Sequence, residues 1–135
     1  MTAAIVRWFP GEPAAVSQAR AWLAALLRPL PVLDDAVIVV SELATNALTH
    51  TASGREGYTV GVCHAGPNRL RLLVSDVGAI TPPRLRTPGA DGECGRGLHI
   101  VAAIATCWGV VGGQTGRTVW AELEWRSYGS AERAR

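Results

Sequence analysis

The sequence has no lysine; all 13 basic residues are arginine. That absence removes mechanisms that rest on a P-loop lysine, a Schiff-base lysine or the strand lysine of eukaryotic-type protein kinases. Cysteine is scarce too. Cys63, Cys94 and Cys107 form no Cys-x-x-Cys pair, so neither a disulfide framework nor a zinc ribbon is indicated. A metal site from Cys94, His99 and Cys107 is conceivable, but isolated residues of these types are more often ordinary buried or surface groups. No apolar run approaches ~18 residues, and the N-terminus lacks a charged-then-apolar pattern. The expectation is a cytoplasmic protein with no membrane segment. A net charge of +2, without an arginine stripe interleaved with aromatics, gives no footing for direct nucleic-acid binding.

What is present suits one hydrophobic core. The 135 residues are 48% hydrophobic and 18% charged, which argues for a folded chain of single-domain size. The expected domain spans residues 1–127, and 128–135 form a polar tail. Weak alternation marks a strand over 4–9. Helical spacing of Val16, Ala19, Leu23, Leu26 and Leu27 predicts a helix over 13–28, closed by Pro29-Leu30-Pro31. A second helix runs from Asp34 or Asp35, whose charge suits the positive end of the dipole, to about 51. Strands over 58–64 and 69–76 are joined by Ala65-Gly66-Pro67-Asn68 as a hairpin. Residues 77–94 are rich in proline and glycine and read as a loop. A third helix over 95–106 and strands over 108–111 and 117–126 complete a β-α-α-β-β-α-β-β order. That order predicts an α/β two-layer sandwich, a mixed and mostly antiparallel sheet with helices on one face.

Three places carry chemistry. On the second helix, Ser41, Glu42, Thr45, Asn46, Thr49 and His50 fill one side, while Val40, Leu43, Ala44, Ala47 and Leu48 fill the other. Glu42, Asn46 and His50 recur every four residues along one edge. A carboxylate and an amide oxygen one turn apart can hold a water and a hard cation such as Mg²⁺. A solvent-facing polar stripe gives the same pattern, and His50 alone reads as a helix-end residue complementing the dipole. In Leu70-x-Leu72-x-Val74-x-Asp76, the aspartate shares the face of three apolar residues and must find donors there. The exocyclic amine of adenine is one such donor; a strand-end turn at Asp76-Val77-Gly78 is the other reading. Finally, Gly95-Arg96-Gly97-Leu98 opens an amphipathic helix, leaving free amides at a positive dipole end that suits a phosphate. A glycine hinge entering a core helix is the alternative. Gly112-x-x-x-Gly116-Arg117-Thr118 is P-loop-like only on the surface: it lacks the lysine, is one residue short and leads into a strand.

In order and spacing, these motifs resemble the GHKL superfamily over nearly the whole chain. Glu42-x-x-x-Asn46 is similar to its N box, Asp76-x-Gly78 to its G1 box, Gly95-x-Gly97-Leu98 to its G2 box, and Gly116-Arg117-Thr118 to its terminal G3 region. Ser41-Glu42-Leu43-Ala44-Thr45-Asn46-Ala47 and the short length look most like the anti-sigma-factor serine kinases and their stand-alone actinomycete relatives. The resemblance implies a Bergerat-type ATP-binding fold with ATP and Mg²⁺ between helices, under a lid over 79–94 that carries Arg84 and Arg86. It implies Asn46 as metal ligand, Glu42 as general base, Asp76 as adenine reader, and Gly95 and Gly97 beside the phosphates. His50, Gly78, Arg96, Leu98 and Thr118 complete the implied nucleotide site. Ile80 stands where the pattern Asp-x-Gly-x-Gly has its second glycine.

The function so implied is an ATP-dependent regulatory protein, an anti-sigma factor that phosphorylates an antagonist protein on serine. Its partners would be a sigma factor and that antagonist, with a homodimer left open. A nucleotide-gated binding module without kinase activity is the alternative. A histidine kinase would need an upstream dimerising helix with its histidine, and a gyrase-like ATPase a further domain; neither is expected here.

Overall fold

The computed structural model describes residues 4–50, 56–76, 98–113 and 116–126. Within them lie strands β1 (Ile5–Phe9), β2 (Tyr58–Gly66), β3 (Arg69–Asp76), β4 (Cys107–Gly113) and β5 (Gly116–Glu124), and helices α1 (Ala14–Leu27), α2 (Leu33–His50) and α3 (Leu98–Ile104). The strands form one sheet in the order β1-β2-β3-β5-β4. Every pairing in it is antiparallel. The predicted element order stands, with no parallel pair among the described strands.

Both longer helices follow from side-chain spacing. In α1, Ala15, Ala19, Leu23 and Leu27 recur every fourth residue and are all buried. Pro13 precedes its first turn, where a missing N–H costs nothing. In α2, Asp34 and Asp35 lie in the first turn, where the dipole favours negative charge. Ala36, Val39, Val40, Leu43, Ala44 and Ala47 form its buried stripe. These helical faces join Phe9, Tyr58, Val60, Val62, Leu70, Leu72, Val74, Ala121 and Leu123 of the sheet in one core. Each fully buried aliphatic side chain of this kind contributes about 1.5–3 kcal/mol relative to exposure.

Strand parity divides the remaining side chains. Leu73, Val111 and Trp120 belong to the opposite face of the sheet and form a second, smaller buried cluster. On that face the cross-strand register sets Cys63, Arg71, Glu122 and Cys107 in one lateral row. Glu122, with its side chain only 7% exposed, accepts from Arg71 Nε at 2.8 Å and also pairs with Arg71 Nη2. Arg69 Nε lies 3.4 Å from its other oxygen. The Cys107 thiol donates to Glu122 at 3.6 Å, and burial together with this carboxylate pushes the thiol pKa up. A buried carboxylate is tolerated here because both its oxygens are engaged.

The Arg71 guanidinium also lies 5.2 Å from the centre of the Trp120 ring, capping it. Trp120 in turn lies flat over Gly109. A Cβ at residue 109 would come within 2.8 Å of the indole, which is itself 3% exposed and has little room to give. Gly109→Ala is therefore expected to destabilise the fold by about 1–3 kcal/mol, the range for overpacking. A denaturant midpoint unchanged from the wild type would show that the ring swings aside freely.

Candidate functional site

The helix-covered face ends, at one edge, in a lateral row of side chains. Phe9 pairs with Tyr58, and Tyr58 with Asp76. Beyond Asp76, the Arg117 backbone N–H donates to Asp76 Oδ1 at 2.9 Å. Asp76 is 5% exposed and keeps the face of Leu70, Leu72 and Val74, as the alternation of β3 requires. A carboxylate so placed needs donors. The chain supplies one, and among the described residues Oδ2 accepts no hydrogen bond. One oxygen is thus anchored and the other is available.

At the apolar end of the row, Phe9 stacks on Tyr58 with centroids 5.7 Å apart and meets Trp22 of α1 edge-on at 5.8 Å. Gly57 makes the turn into β2 with φ at +90°. A Cβ there would meet both the Trp8 indole and the Phe9 carbonyl at about 2.6 Å, so the residue before Tyr58 must be glycine.

Along α2, the apolar stripe is buried as the sequence predicts, and the polar side is partly open. Ser41, Glu42 and Asn46 are half-buried and Thr45 is exposed. Ser41 Oγ donates to the Val37 carbonyl at 2.8 Å, a bond within the helix that occupies this hydroxyl. No hydrogen bond or ion pair among the described residues holds the side chain of Glu42 or Asn46. Two oxygen-bearing groups one turn apart, half-buried and unpartnered, are a donor set of the kind a hard, oxygen-seeking cation takes. His50 is the last residue of α2, and its side chain lies outside the described atoms.

Thr118 is not brought to the row of Asp76. It pairs with Ser75 across β3 and β5, so it points to the opposite face, where its hydroxyl bonds Ser75 Oγ at 2.5 Å. Thr118 is 3% exposed and Ser75 is fully buried, so this hydroxyl is already satisfied. The residue of the Gly116-Arg117-Thr118 stretch that meets Asp76 is Arg117. Strand parity carries that distinction, but only once the pairing of β3 with β5 is known.

Leu98 begins α3, with its side chain outside the described atoms. Gly78, Ile80, Gly95, Arg96, Gly97 and the segment 79–94 lie outside the described residues. Among the described residues no group of three or more His, Cys, Asp or Glu side chains could hold a metal ion. His99 is exposed, and Cys107 is engaged with Glu122 on the far face of the sheet. The strands on either side of the glycine-flanked segment before Arg117 pair antiparallel up to Gly113 and Gly116, so that segment leads into a strand and not into the helix a phosphate loop needs. No described helix is long and apolar enough to cross a membrane.

Comparison with known proteins fits this geometry. The structure of the RsbU and RsbW domains of Rv1364c from Mycobacterium tuberculosis superposes with a TM-score of 0.66 at 19% identity, over 91% of this chain. The overlap takes in 32% of that longer chain, and at this identity the likeness is one of fold. No curated protein matches the sequence. A family model, the histidine kinase-like ATPase domain, matches residues 9–123, which takes in α2, β3 with Asp76, and nearly all of β5. With that match and this fold, the chain belongs to the histidine kinase-like ATPase domain family, of GHKL type.

Proposed function

We propose that the chain binds Mg²⁺-ATP between α2 and the Asp76 end of the sheet and uses it as a regulatory serine kinase of the anti-sigma-factor type. The observation that carries this reading is the state of Asp76. A buried carboxylate on the core face, fixed through one oxygen and open through the other among the described residues, is an acceptor suited to an N–H donor. The exocyclic amine of adenine is such a donor, and Glu42 and Asn46, with no side-chain partner among the described residues, stand on the helix beside the same core.

In this reading Asn46 supplies an oxygen ligand to the cation, and Glu42 stands one turn away without ligating it. Mg²⁺ held there would supply positive charge that offsets the phosphates. Glu42 takes the proton from the incoming serine hydroxyl as its oxygen bonds the γ-phosphorus and ADP leaves. Gly95, Gly97 and Arg96 are proposed to lie against the phosphates, with Gly78, Leu98 and His50 around the nucleotide. The partners proposed are a sigma factor and its antagonist protein, and the setting proposed is the cytoplasm. A second reading, a nucleotide-gated binding module without phosphoryl transfer, is favoured by Ile80 at the second glycine position of the G1 pattern.

Calorimetry with ATP and GTP in Mg²⁺ tests the site. ATP is expected to bind and GTP to bind much more weakly. Asp76→Asn replaces an acceptor oxygen by an amide and should weaken ATP by about 1.5–3 kcal/mol, the scale for hydrogen bonds to charged groups. Unchanged affinity would reduce Asp76 to a structural anchor for the Arg117 amide.

Transfer is tested separately on α2. A general base contributes about 10²–10⁴-fold to rate and little to ground-state binding. Glu42→Ala should therefore abolish phosphate transfer to the antagonist while keeping ATP affinity within a small factor. Asn46→Ala should lose Mg²⁺-dependent binding as well. A wild type that binds ATP and never transfers phosphate to its partner would leave the binding module as the reading.

A further inference from the structure

We propose that the Tyr58 hydroxyl is a second polar contact for the adenine ring, made beside Asp76 either directly or through one water. The inference rests on the nucleotide site proposed above and deepens it. Tyr58 is 0% exposed, and its hydroxyl has no hydrogen-bond partner among the described residues. Leaving a buried hydroxyl unpaired costs about 1–3 kcal/mol. Phenylalanine would keep the ring contacts with Phe9 and avoid that cost, so packing alone does not account for the oxygen. Buried polar groups of this kind are normally satisfied by protein, by ordered water or by a ligand.

Position narrows the choice. Tyr58 and Asp76 are direct cross-strand partners on the same face, which sets their Cβ atoms about 4.5–5.5 Å apart. On its other side Tyr58 stacks on the Phe9 ring, which meets Trp22 edge-on. Asp76 is the polar neighbour that the register gives Tyr58 on its own face. The phenol is longer than the carboxylate, and in the proposed contact the two groups meet neighbouring atoms of one ring edge. Adenine offers a matching edge: an amine that donates beside a ring nitrogen that accepts. Asp76 takes the first and the Tyr58 O–H supplies the second. Guanine presents a carbonyl and a ring N–H at the same positions, and the carbonyl would face the carboxylate. Burial pushes the Tyr58 pKa up to about 12, which keeps the hydroxyl protonated and able to donate throughout the neutral range.

The test is Tyr58→Phe, measured by calorimetry with Mg²⁺-ATP and with AMP, alongside thermal unfolding without nucleotide. The expected result is a loss of affinity of roughly tenfold, the equivalent of one neutral hydrogen bond, and by the same factor for both ligands because the contact is with the base. The unfolding temperature should stay the same or rise, since an unpaired buried hydroxyl has been removed. Unchanged affinity, a loss confined to ATP, or a fall in unfolding temperature with no loss of binding would each overturn the inference. If the wild type binds neither ligand, the nucleotide site itself fails and takes this contact with it. If the wild type binds both and Tyr58→Phe binds equally well, only the Tyr58 contact is lost.

Discussion

Asp76 ends β3 on the face of Leu70, Leu72 and Val74, and the described site depends on that parity. Side chains alternate along a strand with a period of two, so a slip of one residue in β3 would carry the carboxylate to the far face and Ser75 to the core. The fold holds the register on both sides. Against β2, Tyr58 pairs with Asp76 and Leu72 with Val62; against β5, Leu72 pairs with Ala121 and Leu70 with Leu123. All of these apolar partners are buried. Any slip would bury charge and expose leucine, so the hydrophobic pattern that builds the core also aims the carboxylate.

The far face of the sheet does complementary work. Glu122, Arg71 and Arg69 balance one another there, and the Ser75 and Thr118 hydroxyls satisfy each other. These side chains of β3 and β5 thereby find partners within the sheet. Asp76 differs, because among the described residues its one donor is a backbone amide and its second oxygen accepts nothing. Glu122 takes side-chain donors at both oxygens, whereas Asp76 takes one backbone donor at a strand end. That contrast separates a structural carboxylate, Glu122, from a candidate binding one.

Much of this was legible in the sequence. The spacing of Ala19, Leu23 and Leu27, the acidic start of α2, and the alternation that puts Asp76 among leucines are local patterns, and local patterns survive folding. The G3-like stretch was not legible in the same way. Gly116-Arg117-Thr118 names three consecutive residues, but which of them faces Asp76 is set by the pairing of β3 with β5, some forty residues apart in the chain. The register puts Thr118 against Ser75 and turns it away. Tyr58 escaped for the same reason. Read alone it is an aromatic at the start of a strand, and only its pairing with Asp76 gives its hydroxyl a meaning. The Arg117 amide that donates to Asp76 is equally silent, because a backbone N–H on another strand leaves no signature in sequence.

In the proposed reading, base recognition and phosphate chemistry fall on different elements. Asp76 and Tyr58 belong to the sheet, where cross-strand register and a closed core fix them. Glu42 and Asn46 belong to the polar edge of α2, half-buried and held by no partner among the described residues. A substitution on the sheet is felt by the core, since its neighbours are buried on every side. A substitution at Glu42 changes an edge that packing does not constrain. In the proposed reading, Glu42 and Asn46 on α2, neither held by a hydrogen bond or ion pair among the described residues, are what favours the kinase over the binding module.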